Sequence, residues 1–457
     1  MRYMNDTRQA AINGGNILLT KCLSLNQNDV FLLVFDESTQ EFPAIFEQAA
    51  QECGVKYSQQ FVSKEHQAAG EVAFSSKLRD PLNRSRGVLL ATTDDETCSQ
   101  FRIIVTSKLR GAANAMATMP GASLEILATA IDVDYDNIIQ MCRDLTVPLI
   151  KANECKITTV DSRNNLHVLT FALGGMERVP IQSLGIIPMQ AWGNVPAGET
   201  FVAPLENSAN GEYLVNGAIG TEKVTGSQEA VIVFEGGRMV RHFYLRNNKP
   251  VEHFAQLAAT AAKNDHSGCW NVIAEFGVGV NQKIDRIHGV QLIDEKKYGT
   301  VHVAIGHNAG YGGNTKCPSV HCDMTTVNPT VALDGRKFIE RGEHVYDLHQ
   351  WLDDYRSFVP APGRDWKARQ TYVKLNDGSY EFAENETLMA KHVTQSGRQT
   401  IYSLGDEATA KCAYRLIRSF GYSDGRTLGE LKSVMGLPTR DLLNLLSLLY
   451  ANGIVYS

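Results

Sequence analysis

Two short apolar runs near positions 300 and 320 carry polar groups that an ordinary core strand excludes, and no other feature constrains the fold as much. Val301 to Ile305 (VHVAI) sets His302 inside a β-branched run, and Val320 to Met324 (VHCDM) sets His321 and Asp323 two positions apart. Side chains alternate along a strand, so His321 and Asp323 leave one face while Val320, Cys322 and Met324 leave the other. An imidazole and a carboxylate side by side on one strand face make either a metal site or a buried hydrogen-bonded pair.

The chain has 457 residues, 43% of them hydrophobic, which is enough apolar material for two or three domains with buried cores. A formal net charge of -6 argues against a nucleic-acid coat or a membrane-surface protein. No run approaches the roughly 20 apolar residues that a bilayer crossing needs. The opening MRYMNDTRQAAINGG lacks the apolar core of a secretory signal. The nine cysteines are odd in number, scattered and without a CxxC, which predicts free thiols in a reducing cytoplasm.

Up to about residue 150, strand and helix patterns alternate. Strands are predicted at Val30 to Phe35, from Val55 to Val62, at Val88 to Ala91 and at Phe101 to Val105; helices are predicted over 8–24, 42–53, 124–130 and 136–145. This is the pattern of a layered α/β domain, 1–150, with a largely parallel sheet. The absence of GxGxxG after the first strand and of a P-loop speaks against dinucleotide or nucleoside-triphosphate binding. Asp132, Asp134 and Asp136 suit a helix N-terminus; a calcium loop would also need a glycine and a distal glutamate that are missing.

From Cys155 the pattern turns towards β, with strands predicted at 157–160, 167–172, 231–234, 239–245 and 272–276 and an alanine-rich helix at 252–262. Together with the two opening runs these make an α+β domain, 151–358. A Pro/Gly-rich joint, Phe358 to Arg364, leads to a third module, 359–457. There an Asn376-Asp-Gly-Ser379 turn predicts a hairpin. Helices predicted at 407–420, 428–434 and 439–451 and a last strand at 454–456 follow the order of a small winged helix. Its would-be recognition helix, TRDLLNLLSLLYANG, carries one arginine among many leucines, which favours packing or partner docking over DNA reading.

Two more carboxylates sit where apolar residues are expected: Glu199 in a turn entering a strand (NVPAGETF) and Glu275 inside AEFGVGVN. Buried charges are costly unless paired or metal-bound. Each position taken singly has an ordinary explanation, His302 as a satisfied core histidine, Glu275 as half of an ion pair and Glu199 as a rim carboxylate.

The motifs AWGNVPAGETFVAP, AEFGVGVN, YGTVHVAIG and SVHCDMTTVNPTVALDG, with GVKYSQQFV and ATMPGASLEILATAIDVDYDNI earlier on, resemble the aminopeptidase T family of two-metal aminopeptidases over residues 8–345. The resemblance implies metal ligands at Glu199, Glu275, His302, His321 and Asp323, a homodimer, and a peptide or amino-acid amide as substrate. Three carboxylates and two imidazoles suit Zn, Co or Mn foremost, and Fe as well. Carboxylates can bridge two ions about 4 Å apart; one ion then polarises the scissile carbonyl and the other holds the substrate amine. The family's tyrosine, seven residues after its first histidine, falls here on Ala309, with Tyr311 two residues further. Tyr311 and His307 are therefore the catalytic candidates in the Gly-rich loop GHNAGYGG, whose glycines let backbone pass close to the ions. Residues 359–457 have no counterpart in the family, which suggests a specialised peptide or tailoring substrate.

Three functional classes follow. The first is a metal-dependent aminopeptidase or amide hydrolase. The second is a mononuclear iron ring-cleaving dioxygenase of similar fold, which needs only about three protein ligands and has no use for Glu199. The third is a non-catalytic binding platform. A zinc–thiolate site at Cys317 and Cys322 is disfavoured because Cys322 leaves the strand face opposite His321 and Asp323.

Overall fold

The computed structural model describes residues 2–347, apart from 95, 109–113, 175–177, 179, 188–191 and 266–267, and beyond them Trp351 and short strands between 372 and 456. A five-stranded parallel sheet organises the N-terminal part, in the spatial order Lys56–Phe61, Val30–Phe35, Gly87–Ala91, Ala115–Thr118, Trp192–Asn194. Gly87–Ala91 is buried throughout, as a central parallel strand covered on both faces should be. The helix Phe42–Cys53 has the limits expected from sequence because Pro43 starts it and Gly54, at φ +70°, ends it.

One predicted strand is not a strand. Phe101 to Val105 lies inside the helix Glu96–Ser107, where Phe101 and Val105 are buried while Ile103 is 51% exposed. That spacing of four, with an exposed residue between, is helical amphipathicity, which a five-residue apolar window hides. The sheet takes Ala115–Thr118 as its next strand instead. Asp134 Oδ1 accepts from the N–H groups of Asp136 and Asn137 at 3.1 and 3.2 Å, so the acidic run does act as a helix start.

Two antiparallel sheets face each other in the described residues that follow, up to 346. The eight-stranded sheet contains Glu154–Val160, Leu166–Ala172, Asn210–Val215, Ala230–Glu235 and Arg238–Tyr244. In the seven-stranded sheet Thr300–Gly306 lies between His321–Val327 and Ile273–Gly279, with Glu199–Val202 outside the latter. Phe171 meets Phe276 across the sandwich at 5.4 Å between ring centroids, and the buried Tyr213 hydroxyl donates to Met324 O at 2.9 Å. Both apolar runs singled out in the sequence are thus inner strands, buried on the face towards the other sheet.

The chain forms two compact units, one of Met1–Cys142, Asn153–Leu173 and Gln182–Tyr346, the other of Arg143–Ala152, Gly174–Ile181 and Asp347–Ser457. The hairpin expected about Asn376 does not form among the described residues: Tyr372–Leu375 pairs with Arg426–Thr427 and Val455–Tyr456, while Ser379–Phe382 pairs with Met389–Val393. The joint at 358–364 and the three helices expected after residue 400 lie outside the described residues.

Candidate metal centre

Strand register explains how the five candidate residues converge. Gly277 pairs with His302, Gly279 with Glu199, Gly306 with His321, and Ala304 with both Asp323 and Glu275. All five side chains therefore leave one face of the sheet, and each lies across from a glycine or alanine. Large side chains can lean over these small partners towards one point. A bulge between Ile273 and Glu275 re-aims the glutamate into the cluster. Glu199 enters from a turn containing the cis Val195–Pro196 bond and Gly198 at φ +120°, a backbone state that glycine alone adopts easily.

The cluster is close-knit. His302 Nε2 lies 3.1 Å from Glu275 Oε1 and 3.7 Å from Glu199 Oε2; His321 Nε2 lies 3.4 Å from both Glu275 Oε2 and Asp323 Oδ1. Glu199, Glu275, His302 and Asp323 are buried, whereas the His321 side chain is 31% exposed and so forms the open side. Within the cluster, two groups could each hold a metal ion, Glu199, Glu275 and His302 on one hand and Glu275, His321 and Asp323 on the other. Glu275 belongs to both, with one oxygen towards each histidine.

Electrostatics point the same way. Burial alone would lower both histidine pKa values. For His302 the hydrogen bond to Glu275 and the nearby carboxylate charges outweigh it and raise the pKa to about 9. For His321 the Asp323 and Glu275 carboxylates raise it to about 10. A site that attracts protons so strongly is one that attracts cations. Glu199 Oε2 and Asp323 Oδ1 are also buried without a hydrogen-bond partner. Orphaned carboxylate oxygens are expensive, and a cation is the partner they suit. His321 Nδ1 lies 2.9 Å from the carbonyl of His307, so as a donor it leaves Nε2 for the cluster, the usual arrangement behind a ligating imidazole. Divalent metal ions fit this donor set.

The Gly-rich loop contributes through Tyr311. Its ring meets Phe201 edge-on at 5.4 Å and His321 at 6.1 Å, and its hydroxyl donates to His307 O at 3.1 Å. Burial, then the charges of Glu275 and Asp323, push its pKa well up, so it stays a neutral donor. The His307 imidazole accepts from Cys317 N at 3.2 Å, and its carbonyl is what reaches His321 and Tyr311.

Two members of the cluster escaped the sequence reading. Lys296 is fully buried, and its ammonium donates to Glu199 Oε1 at 2.8 Å and to Glu295 Oε1. Burial and the Glu199 charge push the Glu295 carboxyl well up, while His321 holds Asp323 low against burial. A charged run (DEKKYG) just before a strand reads as a solvated turn, which hid both residues.

The thiols stay apart from the cluster. Cys322 is buried on the other face, as alternation requires, and burial pushes its pKa up. The expectation of free thiols throughout needs correcting: Cys269 and Cys317, 48 residues apart, form a disulfide with Cα atoms 5.5 Å apart. Nothing in their spacing announced it, because the fold alone brings the two segments together. No described helix is long and apolar enough to cross a membrane.

No family model matches the sequence, and no curated protein matches it closely enough to count. Among solved structures the chain is similar to wild-type AmpT from Thermus thermophilus, with a TM-score of 0.52 and 13% identity over 74% of this chain and 99% of that one. This shows a related fold.

Proposed function

We propose that the protein is a metal-dependent hydrolase of the aminopeptidase kind, acting on a peptide or amino-acid amide with two divalent ions held by Glu199, Glu275, His302, His321 and Asp323. The observation that carries the reading is Glu275, shared between two three-ligand groups, since a shared carboxylate is what a pair of ions needs. The motif resemblance to the aminopeptidase T family and the fold shared with AmpT support it. Bound there, the ions would supply Lewis acidity and an activated water for attack on an amide carbonyl.

The residues of the chain set the conditions for that chemistry. The buried carboxylates and His302 close the site on one side, and His321 marks where substrate enters. Tyr311, neutral and beside His321, is the donor best placed for a developing oxyanion, a role worth about 10²–10³ in rate in comparable sites. The reading favours hydrolysis over the mononuclear dioxygenase because Glu199 is buried within the cluster, where a single iron has no need of it.

Elemental analysis of the purified protein, combined with a panel of aminoacyl p-nitroanilides, tests the proposal. We expect two divalent ions per chain and hydrolysis that Glu199→Gln removes together with one of the two ions. One iron per chain with oxygen uptake, or full peptidase activity in metal-free protein, would sink it.

A further inference from the structure

We propose that Lys296 is a positioning residue for the metal centre: its ammonium occupies Oε1 of Glu199, so that Glu199 can offer a cation only Oε2. This rests on the metal-hydrolase reading above and deepens it.

The geometry divides the two oxygens of Glu199 cleanly. Oε1 accepts from Lys296 Nζ at 2.8 Å, while Oε2 is buried, lacks a hydrogen-bond partner and points to the cluster 3.7 Å from His302 Nε2. Carboxylates otherwise swing between one-oxygen and two-oxygen ligation, and a fixed cation on one oxygen removes that freedom. A lysine side chain loses much rotamer entropy on burial, so full burial of Lys296 needs strong fixed partners. Among the described residues its ammonium bonds to Glu199 and Glu295, both carboxyls of this cluster.

One residue ties lysine and glutamate together. Asn281 N donates to Lys296 O at 2.8 Å, and its side-chain amide donates to Ala197 O at 2.9 Å, two residues before Glu199. The same amide reaches Ala130 O at 3.0 Å. A β-carbon on the intervening Gly198 would come within 2.8 Å of Asn281 Cβ, so the turn carrying Glu199 lies flush against this asparagine. Lys296 and Glu199 are thus set by a common frame.

Lys296 acts on one half of the site. Its ammonium bonds to Glu199, a member of the group with His302, and among the described residues makes no hydrogen bond or ion pair with Glu275, His321 or Asp323. Removing the ammonium should therefore impair the Glu199 half and spare the other. A lysine that merely neutralised buried charge would affect overall stability without choosing between ions.

The test is Co²⁺ binding by the full chain, read as bound ion per chain after desalting and as the visible d–d spectrum. Wild-type protein should bind two Co²⁺. Lys296→Met should keep one with its spectrum unchanged and bind the second at least tenfold more weakly; Glu199→Gln should do the same, and the double variant no worse. The retained ion serves as the check on folding. Should Lys296→Met not fold, Lys296→Gln removes the charge while keeping a donor, with the same expectation. Two Co²⁺ at wild-type affinity in the variants, or loss of both from a chain that still unfolds cooperatively, would overturn the inference. Wild-type protein that binds Co²⁺ while the variants behave in that way leaves the hydrolase reading standing; wild-type protein that binds none overturns both.

Discussion

Gly277 lies directly across the strand pair from His302, and the imidazole rests over the space where a side chain at Gly277 would be. A β-carbon there would collide with the ring. Gly277→Ala should therefore push His302 away from Glu199 and Glu275. Overpacking a buried site by one methyl costs about 1–3 kcal/mol, and a ligand displaced by an ångström costs far more function than stability. We expect a folded variant, with a melting temperature lowered by several degrees, that has lost an ion and most of its activity. Wild-type metal content in Gly277→Ala would refute this account of the site.

Sharing of Glu275 makes a different prediction about stoichiometry. Asp323→Ala removes a ligand from one group only and should leave an ion bound, whereas Glu275→Ala touches both groups and should leave none. Without ions the carboxylates repel in a buried setting. Added metal should thus raise the melting temperature of wild-type protein, by an amount worth about 2.7 kcal/mol at a hundredfold excess over Kd, and should not shift Glu275→Ala. Calorimetry with and without a chelator measures both.

How far the sequence revealed this site depends on how local each signal was. Glu275, His302, His321 and Asp323 stood out because polar groups interrupt apolar strands, and alternation alone placed two of them on one face. Lys296 and Glu295 did not, since charge next to a turn is normally solvated and only the fold buries it. Ala115–Thr118 gives little β signal because two alanines and a methionine dilute its one threonine, while Phe101 to Val105 resembles a strand because five residues do not reveal a period. The Cys269–Cys317 bridge depends wholly on tertiary placement.

His344 should set part of the acid limit of stability. Both its ring nitrogens are buried without a hydrogen-bond partner, and it packs between Tyr298 at 4.8 Å and Tyr346 at 6.0 Å. Burial lowers its pKa from 6.5 to about 4, against a weaker opposing pull from Glu343. The folded state prefers the neutral ring, so its contribution is complete above pH 6.5 and is lost as pH falls from 6.5 towards 4. Between pH 7.5 and 5 that loss is about 2 kcal/mol. His344→Phe keeps the ring and cannot titrate. Its urea-unfolding stability relative to wild type should grow by about that amount over the same interval; parallel pH profiles would rule out the assignment.

Reduction of the Cys269–Cys317 bridge should reach the site through a short chain of contacts. Cys317 N donates to His307 Nδ1, and the His307 carbonyl lies within hydrogen-bond reach of His321 Nδ1 and accepts from the Tyr311 hydroxyl. Residue 317 is thus one bond from the histidine whose carbonyl orients a ligand imidazole and a donor tyrosine. Closing a 48-residue separation is worth up to about 4 kcal/mol in chain entropy, and measured losses run to about 2–5 kcal/mol. Replacing both cysteines with serine should lower global stability within that range. It should also weaken metal retention, because His321 is the ligand on the open side and its orientation depends on the loop. A double-serine chain that loses stability yet keeps wild-type metal affinity and kcat/KM would show that the bridge supports the fold alone. The strand-borne ligands Glu275, His302 and Asp323 would then suffice to orient the site without the loop.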